Sequence, residues 1–328
     1  MSENVNLNEN EVVEEAIADV ENAVEETKEK PSDITSKTLV EKDMKDVSTR
    51  QKITKVVVYV LLYAFLITMA IIVLFPFYWM LISSVKSLEE YMLPTPSLFP
   101  RKIYLSNYIR AFNTANLGTL FINTVYVGVV STLLSLVITV LSAFAFARLE
   151  FKGKNALFAA LLATMMIPGE LFTITNYVTV SKFGWLNTYT VLIVPFLVSV
   201  FYIYLLKQNF MQIPNELYLA AKVDGTKDLK YLWKVMIPLA LPTLISITIL
   251  KMMGAWNTYV WPRLVANRQN MRLITNGLRN AYTNANTNET DYPVQMAAVA
   301  IVSLPLFLVF IFLRKYIMKG VSRSGIKG

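Results

Sequence analysis

Lys251, Trp256, Asn257 and Tyr259 crowd into one run that is otherwise apolar, and Asn123, Asn176 and Tyr177 interrupt two earlier apolar runs. Amide side chains there can exchange hydrogen bonds with solute hydroxyls, and aromatic faces can stack on a pyranose ring. The chemistry on offer is recognition, not bond-making. The same residue types also serve as hydrogen-bonding glue between helices and as an interfacial aromatic belt, and spacing does not separate these readings. Lys251 is the most demanding of the seven. A lysine at the bilayer centre costs about 2.5–3.5 kcal/mol on insertion scales, so it is expected to face a bundle interior or a wet vestibule. No catalytic or metal-binding residue is expected. The 328 residues include no histidine and no cysteine, which removes imidazole bases, thiolates and the usual soft metal sites.

The elements that must position these groups are long and apolar. Hydrophobic residues make up 55% of the chain and charged residues only 16%, against about 25% in soluble globular proteins. Six apolar segments, at 56–82, 120–147, 156–180, 190–206, 243–261 and 294–313, each approach the roughly 20 residues that a helix needs to cross a membrane. Most contain a helix breaker, at Pro76, Gly128, Pro168-Gly169, Pro195, Gly254 or Pro305, of the kind tolerated when neighbouring helices satisfy the freed backbone groups. The expected fold class is an all-α membrane protein with six transmembrane helices.

Charge sets the expected orientation. Residues 1–50 hold 14 acidic against 6 basic side chains, and residues 51–328 hold 9 against 25. The flanks on one side of the six segments collect 16 Lys and Arg, and those on the other collect 9, which predicts cytoplasmic N- and C-termini. The domain reading is an acidic, solvated and unstructured cytoplasmic tail at 1–50, with at most a weak amphipathic helix around Val13–Val24, then a permeation domain at 51–328. Basic charge beside such runs points to membrane lipid and not to nucleic acid.

The largest expected cytoplasmic loop, 207–242, contains NELYLAAKVDGTKDLKYLWKVMIPLALP. Pro214 suits a first helical turn and Glu216 favours a helix N-terminus. Leu217, Ala220, Ala221 and Asp224 are spaced to share one face. Gly225 can take the left-handed conformation that ends a helix, and Thr226 can cap a second short helix running to Pro238. A helix–glycine–helix unit with a small-residue face suits docking of another protein; a helix lying on lipid headgroups is the equal alternative.

The spacing Leu219-Ala220-Ala221, Gly225, then Val235-Met236-Ile237-Pro238 resembles the EAA loop of ABC importer membrane subunits, with Leu219 where the family carries glutamate and Glu216 one turn earlier. Ala143-Phe144-Ala145-Phe146-Ala147-Arg148 with Phe151-Lys152-Gly153, Met166-Ile167-Pro168-Gly169, Gly184 through Thr188, and Ala255-Trp256-Asn257 are similar to further positions of the carbohydrate-uptake branch. Arg314-Lys315-Tyr316, Lys319-Gly320 and Gly325-Ile326-Lys327-Gly328 resemble the ending of its maltose-type second permeases. The resemblance spans roughly residues 56–328. It implies the type I ABC importer permease fold in a bacterial cytoplasmic membrane. The implied role is one half of a sugar or oligosaccharide pathway, completed by a second permease subunit as a heterodimer. It also implies two ATPase subunits and an extracytoplasmic sugar-binding protein as partners, with coupling through 214–238 by Glu216, Leu219, Ala220, Ala221, Asp224, Gly225 and Pro238. ATP and magnesium then belong to the partner ATPase, no cofactor to this chain, and the chain itself is no enzyme. Gly320 and Gly325 have P-loop spacing, but Ile326 stands where the loop needs lysine.

Two other readings remain open. An ion-coupled secondary transporter normally needs titratable groups in its spans, and the six segments hold no Asp or Glu except Glu170; coupling through backbone carbonyls is untouched by that count. A non-transporting membrane scaffold is separated by whether vesicles accumulate solute when ATP is supplied.

Overall fold

The computed structural model describes residues 34–322 apart from 280 and 285–288, with side chains over 54–312. The helix expected near residues 13–24 and the motif at 323–328 lie outside these residues. Regular structure among the described residues is helical; β pairing there is a single isolated bridge between Thr283 and Thr290.

The chain divides into two compact units, Met1–Phe75 and Pro76–Gly328. The described part of the first is the body of α1 (Ile34–Ser84), which begins well inside the acidic segment. Residues 34–50 of the segment expected to be unstructured thus lie within this helix. No proline lies between Pro31 and Pro76, so once the apolar run is helical each further residue adds a hydrogen bond with no breaker to stop it. From Val56 to Phe75 the large apolar side chains of α1 are exposed in the isolated chain, as a surface meant for lipid or another subunit would be.

The second unit contains α2 (Ser106–Thr114), α3 (Leu117–Arg148), α4 (Lys154–Thr164), α5 (Thr173–Lys182), α6 (Val200–Met211), α7 (Asn215–Val223), α8 (Leu241–Asn257) and α9 (Tyr292–Ser322). At 1.5 Å per residue the 32 residues of α3 extend about 48 Å, and α3 is the axis against which α6 and α8 pack. Its buried face carries Thr124, Gly128, Ser131, Ser135 and Thr139. Small side chains there let neighbouring backbones come close, and hydroxyls return their hydrogen bonds to the helix itself: Thr124 donates to Leu120 O at 2.8 Å and Ser131 to Gly128 O at 3.2 Å. The two ends of α3 belong to different apolar clusters. Leu117 and Leu120 pack with Trp256, Ile274, Ala297 and Ala298, whereas Ala143 and Phe144 pack with Leu206, Phe210, Leu232 and Met236.

Three helical stretches are long and apolar enough to cross a membrane unbroken: Thr54–Ser84, Leu117–Arg148 and Tyr292–Phe312. Three further helix pairs reach that length and apolarity only when taken together across a bend, Lys154–Thr164 with Gly169–Lys182 at 83°, Tyr189–Phe196 with Val200–Met211 at 47°, and Asp228–Leu239 with Leu241–Asn257 at 80°. The expected breakers act unevenly. Pro168-Gly169 lies at the first break and Pro195 just before the second, but the helices run through Pro76, Gly128, Gly254 and Pro305. The second break is capped, Ser199 accepting a hydrogen bond from Tyr202 N at 3.5 Å. A break inside an apolar run needs such a substitute partner, and a helix without one retains its ladder.

The connection after α1 is held by two buried ions. Lys86 donates to Ser97 O and lies 4.7 Å from the Trp79 ring centre. Glu90 accepts from Ser97 Oγ at 2.8 Å and Arg101 N at 3.0 Å.

One glycine is fixed by close approach. A Cβ on Gly277 would stand 2.5 Å from both Leu120 methyls, and Leu120 is itself buried at the α3 end. Gly277→Ala is expected to destabilise the fold by about 1–3 kcal/mol, the usual cost of overpacking. Thermal unfolding of the purified chain in detergent measures it, and Leu120→Ala in the same molecule should recover part of the loss.

Candidate functional site

The segment between α6 and α8 is largely exposed. Pro214 sits at the N-cap of α7, and Glu216 lies in its first turn. Gly225 adopts φ +68°, with Gly225 N donating to Lys222 O at 3.0 Å and Thr226 N to Ala221 O at 2.8 Å. That pair of bonds closes the helix C-terminus through a left-handed residue. A side chain at Gly225 would meet open space, so glycine is there for backbone conformation alone. The next helix, Asp228–Tyr231, is preceded by Lys227 with no side-chain cap; the expected Thr226 cap is not formed. A π-helical turn, Leu232–Met236, and the turn Ile237–Leu239 containing Pro238 then lead to α8.

The two helices are clasped. The Tyr218 hydroxyl donates to Asp228 Oδ1 at 2.8 Å, Lys222 Nζ stands 2.7 Å from the same oxygen, and the Tyr218 and Tyr231 rings are 5.1 Å apart. Hydrogen bonds from Lys222 and then Tyr218 hold the Asp228 carboxyl below its ordinary value near 3.8. The contribution of the clasp is therefore complete above that ordinary value and is lost as pH falls through the lowered one. Protection of the Thr226–Tyr231 amides, relative to their intrinsic exchange at each pH, is expected to fall on acidification through that range, and Asp228→Asn to remove the pH dependence.

The faces of α7 differ from the sequence expectation. Leu217, Ala220 and Asp224 are exposed, but Ala221 turns inward with Tyr218 against Phe210, Tyr231, Leu232 and Met236. Outward on one helical face lie Glu216, Leu219, Ala220 and Val223, continued by Leu229 and Trp233; Val223 is 89% and Trp233 64% exposed. An apolar surface of this kind at the end of a bundle marks a contact for another molecule. Arg148, which in the sequence stands as a flank charge and as the end of the Ala143–Arg148 motif, fixes where the segment starts. It is buried, and its Nη2 donates to Phe210 O at 2.9 Å and Ile213 O at 2.5 Å. A guanidinium there adds charged donors to carbonyls at the end of α6, where the helix ladder runs out.

A second site lies between α3, α6 and α8. It is a cavity of about 390 Å³ lined by Val127, Ser131, Tyr202, Lys251, Thr258 and Trp261, among others. Lys251 is the one member of the seven candidate solute residues on its wall. Its Nζ donates to Phe196 O at 2.6 Å, the last residue before the 47° break, and lies 6.0 Å from the Tyr202 ring centre. The lysine therefore stands in a concave, partly polar wall. Two N–H groups of the ammonium are left for a solute.

The structure does not bring the other six to this wall. Asn123 is buried and its amide is occupied, donating to Asn270 O at 2.8 Å and Arg272 O at 3.0 Å and accepting from Tyr189 Oη at 2.7 Å. It ties a loop to α3. Trp256 is buried against Phe121, with no partner for its Nε1 among the described residues. Asn257 is exposed and returns its amide to Met253 O at 2.9 Å. Tyr177 packs beside the cluster of Val180, Val191 and Trp261, and Asn176 is half-buried on α5 next to it. Tyr259 accepts from Arg263 and Arg279 in the 258–291 loop.

The family model described as "Binding-protein-dependent transport system inner membrane component" matches residues 135–323, which include the exposed segment and Lys251. The arabinooligosaccharides transport system permease protein AraQ of Halalkalibacterium halodurans is 30% identical over 79% of this chain and 93% of its own length. The diacetylchitobiose uptake system permease protein NgcG of Streptomyces coelicolor is 30% identical over 80% of this chain and 87% of its own. Among solved structures, a chain of a bacterial ABC transporter involved in import of the acidic polysaccharide alginate superposes with a TM-score of 0.71 at 25% identity, covering 81% of this chain and 97% of that one.

Proposed function

The chain belongs to the binding-protein-dependent transport system inner membrane components, and from that premise we propose that it is one transmembrane subunit of an ATP-driven importer of a sugar or oligosaccharide. The observation that carries the proposal is the exposed, glycine-hinged segment Asn215–Leu239, which lies inside the family-matched region. In this reading the segment docks a separate ATPase, which holds ATP and magnesium. A second permease subunit completes the pathway, and an extracytoplasmic binding protein delivers the solute. In this reading there are six crossings of a bacterial cytoplasmic membrane, the fifth made by Leu241–Asn257 while Asp228–Leu239 stays outside it, with both termini, the acidic segment 1–50 and the loop 207–242 on the cytoplasmic side. The excess of Lys and Arg in those flanks supports this orientation.

In mechanical terms the ATPase would move α7 as a lever. Motion enters at Gly225 and passes through Tyr218 and Tyr231 to the 80° junction with α8. Helix α8 carries Lys251 in the cavity wall, so displacement of the exposed segment changes the polar lining that a solute meets. The relatives named for oligosaccharide transport supply the substrate class.

The test is reconstitution with the partner subunits in proteoliposomes. Oligosaccharide uptake should require ATP and the binding protein together; uptake driven by an ion gradient without the ATPase would overturn the proposal. Lys251→Met, which retains side-chain length and removes the charge, is expected to leave assembly intact and to reduce uptake about tenfold, the loss of one charged hydrogen bond. Unchanged uptake would mean that Lys251 serves only to close the Phe196 break.

A further inference from the structure

We propose that Arg263, Arg272 and Arg279 form a carboxylate-binding site in the 258–291 loop, and that the carboxylate is carried by a uronic-acid unit of the transported saccharide. The three side chains line one cavity of about 320 Å³ with Asn267 and Asn276. Nη1 of Arg263 and Nη1 of Arg279 both donate to the Tyr259 hydroxyl oxygen, at 2.7 and 2.8 Å. Two like charges thus stand within two hydrogen-bond lengths of each other around a neutral oxygen. Arg272 reaches the same cavity and donates from Nη2 to Asn267 O at 3.3 Å.

What the cluster lacks is an anion. None of the three arginines forms an ion pair among the described residues, and Asp291, at the end of the same loop, is engaged by Arg110. Each guanidinium presents five N–H donors, and each spends one on the chain. The constellation is therefore all donor and all cationic, and the complementary ligand is an acceptor with negative charge. A planar carboxylate matches the guanidinium fork in two-point contact.

The adjoining space selects the source of that carboxylate. A second cavity, of about 440 Å³, shares Arg272 and Ala281 with the first and is lined by Asn116, Thr119, Gln269 and Asn270. Amides and a hydroxyl next to a cationic end suit a chain of hydroxylated rings ending in, or carrying, a carboxylate, and both volumes are of small-ligand size. An acidic side chain of a docked protein offers the same functional group, so the test must separate the two. The inference rests on the importer reading, because it takes the loop to face the side from which solute arrives.

The experiment uses the full complex in phosphatidylcholine nanodiscs and measures equilibrium binding of trigalacturonate and of its carboxyl-reduced neutral counterpart. Wild type should prefer the anion by about tenfold or more, with a preference that weakens as salt rises. Arg272→Gln and Arg279→Gln should each abolish the preference, Arg279→Lys should restore part of it, and Arg268→Gln, outside the cavity, should leave it intact. Absence of preference in wild type, or its survival in both glutamine variants, overturns the proposal. If there is no preference for the anion but Arg279→Gln weakens capture of the purified binding protein about tenfold, the carboxylate belongs to that protein and the saccharide assignment fails. ATP-driven uptake of a neutral oligosaccharide panel by the same preparations is read separately. Its complete absence sinks the importer reading, whereas its presence without charge discrimination sinks only this one.

Discussion

Arg148→Ala is expected to detach the exposed segment from the bundle while the long helices still form. The guanidinium holds Phe210 O and Ile213 O, the last carbonyls before Pro214 turns the chain into α7. Hydrogen bonds from a charged donor contribute about 1.5–3 kcal/mol each, and although Phe210 O keeps its bond from Ile213 N at 3.3 Å, Ile213 O loses the charged donor it accepts from. Against this stands the buried Arg148 Nε, which has no partner among the described residues, so the net loss falls short of the two bonds added together. Thermal unfolding of the complex should shift down by several degrees, and retention of the ATPase on tagged permease should fall more steeply than insertion or yield. Arg148→Lys retains the charge but not the fork, and should sit between the two. Full ATPase retention in Arg148→Ala would show that α7 is positioned by the Tyr218–Tyr231 packing alone.

Arg148 also shows what the sequence could and could not carry. Its charge was legible as part of a basic flank, because membrane orientation depends on counts of Lys and Arg and not on their partners. That it reaches two carbonyls 62 and 65 residues away depends on α3 and α6 lying side by side, which no local pattern states. Asn123 is the same case with the opposite outcome. An asparagine in an apolar run reads equally as a solute ligand or as hydrogen-bonding glue, and here its amide is spent on loop carbonyls 147 and 149 residues distant. Lys251 was easier, since burying its charge in lipid is so costly that a cavity or a carbonyl was its only resting place, and it has both. The helices themselves were legible wherever a long run had no competing partner for its backbone. Their breaks were not, because Pro168-Gly169 ends a helix and Pro305 does not, and the difference lies in what the surroundings offer the freed backbone groups. The inward turn of Ala221 needed the packing of Tyr218 and Tyr231, which spacing alone did not rank above the small-residue stripe.

Gly225→Val is expected to cost the segment its coupling without unfolding the bundle. The residue holds φ +68° in open space, so the penalty is conformational: about 1–2 kcal/mol for a residue with a Cβ in the left-handed region, and more when the Cβ is branched. Gly225→Ala should therefore be the milder change. The companion variant belongs on the outward face. Ala221→Trp would collide with the core that Ala221 adjoins and would confuse folding with docking, whereas Ala220→Trp adds bulk only to the exposed surface beside Leu219 and Val223. If an ATPase cleft closes on that surface, the indole blocks it, and both ATPase capture and ATP-driven uptake should fall about tenfold or more, the equivalent of the 1–3 kcal/mol that overpacking typically costs. Leu219→Glu probes the chemistry of the partner. It places a carboxylate one turn from Glu216, and it should be tolerated where the cleft presents a basic group and harmful where the cleft has become apolar against Leu219, Val223 and Trp233. Solvent accessibility of a cysteine introduced at Val223, with and without the ATPase, reports docking directly: protection is expected in wild type and should be lost in Ala220→Trp. Capture and uptake at wild-type levels in both Gly225→Val and Ala220→Trp would remove the docking assignment and leave the segment as a connector resting on lipid headgroups, its exposed Val223 and Trp233 inserted among them.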